Sequence, residues 1–146
     1  MSAYGFNDDK SKKILVPKTE ILYSHTYICT LQAGQTVYHE EIENAIPNFD
    51  EVLSRTSMFE VLYDALPDDL TYRDGDCDYN QILLSPMTWE GMGHLYNARV
   101  NGGSSVNVQL WTDSTRKNKL IIDKYTSAVA YDINFAVGIR LHGISI

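Results

Sequence analysis

The end of the chain constrains the fold most. From Ile133 onward, Ile133, Phe135, Val137, Ile139 and Leu141 alternate with Asn134, Ala136, Gly138, Arg140 and His142. A period of two is the period of a strand, so one face belongs in a core and the other is small or polar. The run predicts a strand over 133–146, with Gly138 and Gly143 as the places where it could break.

Strands of this kind recur upstream. Ile21–Leu31 is rich in Ile, Tyr and Thr without Pro or Gly, and Gly34 turns it into a more polar strand over Gln35–Glu43. "MFEVLY" (58–63) puts Phe59, Val61 and Tyr63 on one face, a short strand is expected over Leu70–Tyr72, and "YNQILLS" ends at Pro86. "HLYNARV" and "SSVNVQLWT" flank Asn101-Gly102-Gly103, a hairpin signal because glycine tolerates φ > 0. "KLIID" and "SAVAY" read as further strands, and "TWEGMGH" as loop. The single helix candidate is "PNFDEVLSR" (47–55), with Asn48 and Glu51 spaced as a capping box. Roughly eight to ten short strands with one short helix predict an all-β antiparallel sandwich, jelly-roll-like, over residues 20–146. Residues 1–19 have neither period, and their few apolar side chains, Tyr4, Phe6, Ile14 and Leu15 among them, cannot form a core alone. They read as an extended N-terminal arm.

A chain of 146 residues makes one domain. No apolar run reaches the about 18 residues of a membrane helix, and the first 25 residues hold no signal-peptide h-region. Synthesis in a cytoplasm without membrane insertion is therefore expected. The net charge of −7, from 19 acids against 12 bases, repels phosphate backbones. No basic stripe offsets this, and the nearest thing to one, Arg116, Lys117 and Lys119, reads as part of a turn. Nucleic acid is not an expected partner. Cys29 and Cys77 are too few for a disulfide framework and are expected as reduced thiols.

No reaction is written in the chain. The four histidines, His25, His39, His94 and His142, have no metal spacing. Asp74, Asp76 and Asp78 resemble the opening of a calcium loop, but the later ligand positions fail, since Ser85 stands where Glu is needed. "GGSSVN" is not a nucleophile elbow, and neither cysteine has a neighbouring histidine or helix start to activate it. No phosphate-binding glycine motif is present. The chain is expected to be non-enzymatic, without cofactor or metal.

Aromatic residues carry more information. In "SSVNVQLWTD" the apolar face is Val106, Val108 and Leu110, while Trp111 falls with Asn107 and Gln109. A tryptophan on a polar face can stack on a sugar, anchor a subunit interface, or be core beneath a folded-over loop. Asn107, Gln109 and Trp111 are the first candidates for a ligand or interface site. Trp89, in a glycine-flanked stretch, and Tyr96 are the second.

Three stretches carry a resemblance. "YGFNDDKSK" resembles the start of many small proteins of tailed bacteriophages and prophages of Gram-positive hosts. "TSMFEVLYDALPDDLTY" is similar to a strand-turn-strand module of phage tail proteins, and "YDINFAVGIRLHGISI" resembles their closing strand. The resemblance implies a virion structural protein of the tail or its fibres, working as a homo-oligomer, with a trimer favoured. It also implies contact with other virion proteins and saccharide binding on the host cell surface in some members. It supplies no catalytic residue. The arm then reads as a docking segment for a neighbouring virion protein. A capsid decoration protein or head fibre, or a bacterial carbohydrate-binding module, are the alternatives.

Overall fold

The computed structural model describes residues 18–71, 79–89, 93–100 and 106–145. In chain order they form β1 (Lys18–Leu31), β2 (Val37–Ile42), α1 (Phe49–Arg55), β3 (Thr56–Ala65), β4 (Tyr79–Leu83), β5 (Met87–Trp89), β6 (Gly93–Val100), β7 (Val106–Trp111), β8 (Lys119–Tyr125) and β9 (Ile133–Ser145). Two antiparallel sheets result, one of order β1-β9-β3-β4 and one of order β2-β8-β7-β6-β5. The chain crosses between them after β1, after β2 through α1, between β4 and β5 at residues 84–86, and after β8. This is the antiparallel β-sandwich with one short helix that the strand periodicity predicts. No helix among the described residues is long and apolar enough to cross a membrane.

The alternating positions meet between the sheets. Phe59, Val61 and Tyr63 of β3 and Phe135, Val137, Ile139 and Leu141 of β9 supply one layer. Tyr96, Ala98 and Val100 of β6, Val106, Val108 and Leu110 of β7, and Leu120 and Ile122 of β8 supply the other. Phe59 stacks on Tyr96 at 4.9 Å, and Tyr38 meets Phe135 edge-on at 5.3 Å, so the aromatic contacts cross the interlayer space. Burying each large apolar side chain contributes about 1.5–3 kcal/mol, and this layer is the main source of stability.

β9 is unbroken. Gly138 and Gly143 lie within it, and the register irregularities fall on its neighbours, at Leu22 in β1 and Ser57 in β3. Gly143 is needed for close approach: a Cβ there would lie 2.8 Å from the Arg55 carbonyl oxygen and 2.8 Å from Leu22 Cδ1. At Gly138 the nearest atoms are 3.5 Å away, an ordinary contact.

Several expectations need correction. The helix is there, but Asn48 does not cap it through its side chain. It sits in the left-handed region (φ 52°), like Asn44 (φ 51°), because the chain must reverse sharply out of β2, and asparagine tolerates that conformation. The strand expected over Leu70–Tyr72 does not form at Leu70 and Thr71. Leu70 is left-handed, its N–H donates to Pro67 O, and Asp69 accepts from Thr71 N, so the local turn holds the backbone groups. Tyr72 lies outside the described residues. "TWEGMGH" is not simply loop, since Met87–Trp89 pairs with residues 93–95 as a short hairpin. Residues 127–131 are irregular, tied to the β1–β2 turn by Gly34 N donating to Val129 O. Pairing with β9 starts at Lys18, so the sheet takes in Lys18 and Thr19 from the expected arm. Residues Asn101-Gly102-Gly103 lie outside the described residues, while β6 and β7 on either side pair as a hairpin, from Val100↔Val106 to Leu95↔Trp111.

Candidate functional site

The outer face of the five-stranded sheet carries Asn107 and Gln109. Register places His39, Asp123, Asn107 and Arg99 in one row across β2, β8, β7 and β6, and Glu41, Ile121, Gln109 and Asn97 in the next. Beyond the first row, Val37 and Tyr125 pair and are exposed, Tyr125 at 54%. The rows form a polar surface beside one exposed aromatic ring. The side-chain oxygens of Asn97 and Asn107 are buried and have no hydrogen-bond partner.

The charges on this face are ordered. His39 Nδ1 hydrogen-bonds the Asp123 carboxylate and its Nε2 lies 2.8 Å from Glu41. Lys119 Nζ reaches Glu41 at 2.7 Å and Glu43 at 3.4 Å. Hydrogen bonds donated to Asp123 first and Glu41 second raise the His39 pKa above the usual imidazole range. Lys119 and then His39 hold Glu41 below the usual carboxylate range. Together they form a ladder of alternating charge along the β2 edge. The basic cluster of the sequence is consumed inside the molecule: Lys117 pairs with Asp50 at 2.8 Å, Lys119 joins this ladder, and Arg116 packs elsewhere.

Arg116 lies over the Trp111 ring, 4.4 Å from its centroid. Trp111 is on the outer side of β7 as its parity requires, yet it is only 2% exposed. Leu95 lies opposite it on β6, the 112–118 turn supplies Arg116, and Trp111 Nε1 donates to Gln109 Oε1. Of the three readings of Trp111, core beneath a folded-over loop is the one this burial favours. The ring has no free face for a sugar. Tyr96 is also removed from any surface: it faces the core, stacked on Phe59. Trp89 pairs with Gly93 through its backbone in β5. The structure therefore brings Asn107, Gln109 and Trp111 together on one strand, and leaves Tyr96 on the opposite side of its sheet. Asp74, Asp76 and Asp78, and the arm residues Tyr4, Phe6, Ile14 and Leu15, lie outside the described residues. Among the described residues no group of three or more His, Cys, Asp or Glu side chains is arranged to hold a metal ion.

Two clusters were not legible as sites in the sequence. On the outer face of the four-stranded sheet, Glu60 of β3 is buried, with His142 Nε2 at 2.9 Å, Arg140 Nη1 at 3.8 Å and Asn80 Nδ2 donating at 3.1 Å. The only signal was that all four fall on the non-core parity of their strands. Around them the same face exposes Ile21 (54%), Ile28 (47%) and Ile82 (50%). The second cluster is inside. Lys124 occupies a core-facing position of β8, with Nζ 5.2 Å from the Tyr63 ring and 5.6 Å from that of Phe135. Burial lowers its pKa, and the two π faces offset part of the cost of holding the ammonium there.

The fold and these faces define an antiparallel β-sandwich with a polar outer surface on one sheet and a partly apolar outer surface on the other. Compared with known protein families, curated proteins and solved structures, the chain matches none.

Proposed function

We propose that this chain is a non-enzymatic structural protein of a bacteriophage virion, associated with the tail or its fibres. It assembles through its sandwich and docks through its N-terminal arm. The observation that carries the assembly part is the outer face of the four-stranded sheet, where Ile21, Ile28 and Ile82 stand about half exposed around a neutralised Glu60–His142–Arg140 cluster. Such a face is better suited to burial against a protein than to water. The virion assignment comes from the resemblance of the three sequence stretches. Deleting residues 2–17 tests it: the truncated protein should fold with an unchanged melting temperature and fail to enter particles. Truncated protein found in particles at wild-type level overturns arm docking. Antibody labelling of particles separates a tail position from a capsid one.

A second reading, a carbohydrate-binding module, is favoured by Tyr125 standing exposed beside Asp123 and Asn107 on the other sheet. An exposed ring flanked by amide and carboxylate groups suits a sugar's apolar face and its hydroxyls. A glycan screen with wild type and Tyr125→Ala tests it, and binding lost in the variant alone supports it.

A further inference from the structure

The four edges of the two sheets are protected very unequally. β2 carries His39, Glu40 and Glu41 and is bordered by the Lys119 ladder. β5 is three residues long. β4 is five residues long and is followed by Pro86, and its Gln81 side chain accepts a hydrogen bond from Arg99 N, which draws it towards β6. Short length, charge and proline are the usual means by which sheet edges are kept from pairing.

From Ile21 onward β1 has none of them. It runs 14 residues and pairs with β9 on one side, and among the described residues no strand pairs with its other side. From Ile21 to Leu31 it contains no Asp, Glu, Lys, Arg, Pro or Gly. A register shift at Leu22 twists the start, but from Tyr23 to Leu31 the ladder with β9 is regular, nine consecutive pairs. The outward backbone groups of that stretch form a straight, uncharged template.

We propose that the free edge of β1 pairs antiparallel with β1 of a second copy of this chain, joining the two four-stranded sheets into one continuous sheet across a two-fold axis. An isologous contact requires a self-complementary surface, and two antiparallel β1 strands offer each other the same row of donors and acceptors. Charge permits it. The chain's −7 would oppose association, but the only Lys, Arg, Asp or Glu residues of β1 are Lys18 and Glu20 at its start, and Glu20 pairs with Arg55 at 2.6 Å. Ile28, exposed on the outer face beside this edge, gains cover from the added strands. This pairing deepens the assembly reading and rests on it, and it specifies a two-fold unit within whatever larger symmetry the particle imposes.

The test uses the full chain. Light scattering should give twice the 16.6 kDa chain mass, and amide hydrogen exchange should show continuous protection from Tyr23 to Thr30. In a lone edge strand, alternate amides exchange fast. Ser24→Lys with Ile28→Lys, both at exposed positions, should halve the mass and restore the alternating exchange, with a cooperative melt retained. If that pair misfolds, Ile28→Lys alone and the wild-type exchange pattern still decide. A wild-type monomer, a trimer unaffected by the lysines, or a dimer with alternate β1 amides exchanging fast overturns the pairing. If any of these proteins still enters particles, the assembly reading survives without it. If the wild-type chain forms no oligomer and enters no particle, both fail.

Discussion

At the scale of single residues, His39 gives the chain a pH-dependent element whose sign follows from its partners. Its pKa is raised by Asp123 and Glu41, so folding takes up proton. The stabilisation is fully present below the unfolded imidazole value of about 6.5 and is lost as pH rises through the higher folded value. Comparing melting temperatures of wild type and His39→Gln should show a wild-type advantage that is largest below the unfolded imidazole value and shrinks as pH rises above it. A difference that stayed constant as pH rose would contradict the ion pairing. Trp111→Ala should cost about 3–5 kcal/mol in chemical denaturation, because it empties a site sealed by Leu95 and Arg116. Oligomer mass should not change. Gly143→Ala should cost about 1–3 kcal/mol by forcing a methyl against the Arg55 carbonyl, and Gly138→Ala much less. Of these residues, the sequence marked Trp111 by its parity, but nothing local said that a turn a few residues later would bring Arg116 over its ring.

At the scale of elements, the turn between β7 and β8 is fixed by one asparagine. Asn118 is buried and left-handed (φ 64°). Its side chain accepts from Ile46 N at 2.9 Å and donates to Ile46 O at 2.8 Å, while its own carbonyl accepts from Ala45 N. It thus clamps the segment before α1 to the β7–β8 turn as a strand neighbour would. Asn118→Ala leaves that buried donor and acceptor without partners and should cost about 2–4 kcal/mol, read as a lower midpoint at unchanged slope in urea. The strands themselves were largely legible, because alternation is a local property: β3, β6, β7 and β9 follow from it directly. The failures were at Leu70, at Met87–Trp89 and at residues 127–131. There short stretches of suitable residues are decided by what lies alongside, a partner strand for Met87–Trp89 and a turn for the other two.

At the scale of the whole molecule, β1 and β9 join the two ends of the described chain, so the four-stranded sheet closes only when the molecule is nearly complete. Opening of its core should therefore be global. Cys29 reports this, since it is buried on β1 and burial pushes its thiol up from the usual range. Maleimide labelling of Cys29, followed by mass spectrometry of its peptide, should track the global unfolding equilibrium and accelerate in Trp111→Ala and Asn118→Ala in step with their lost stability. Labelling insensitive to both would mean that β1 opens alone. The sequence by itself determined the class of fold and most of the core, because a period of two assigns each side chain to a face before any partner is known. Only the tertiary structure decided which strands became neighbours. Through that it set the cover over Trp111, the Glu60–His142–Arg140 cluster and, among the described residues, the unpaired edge of β1. The last two depend on pairing between residues distant in sequence, whose register no local pattern encodes, and the first also on how a nearby turn folds back.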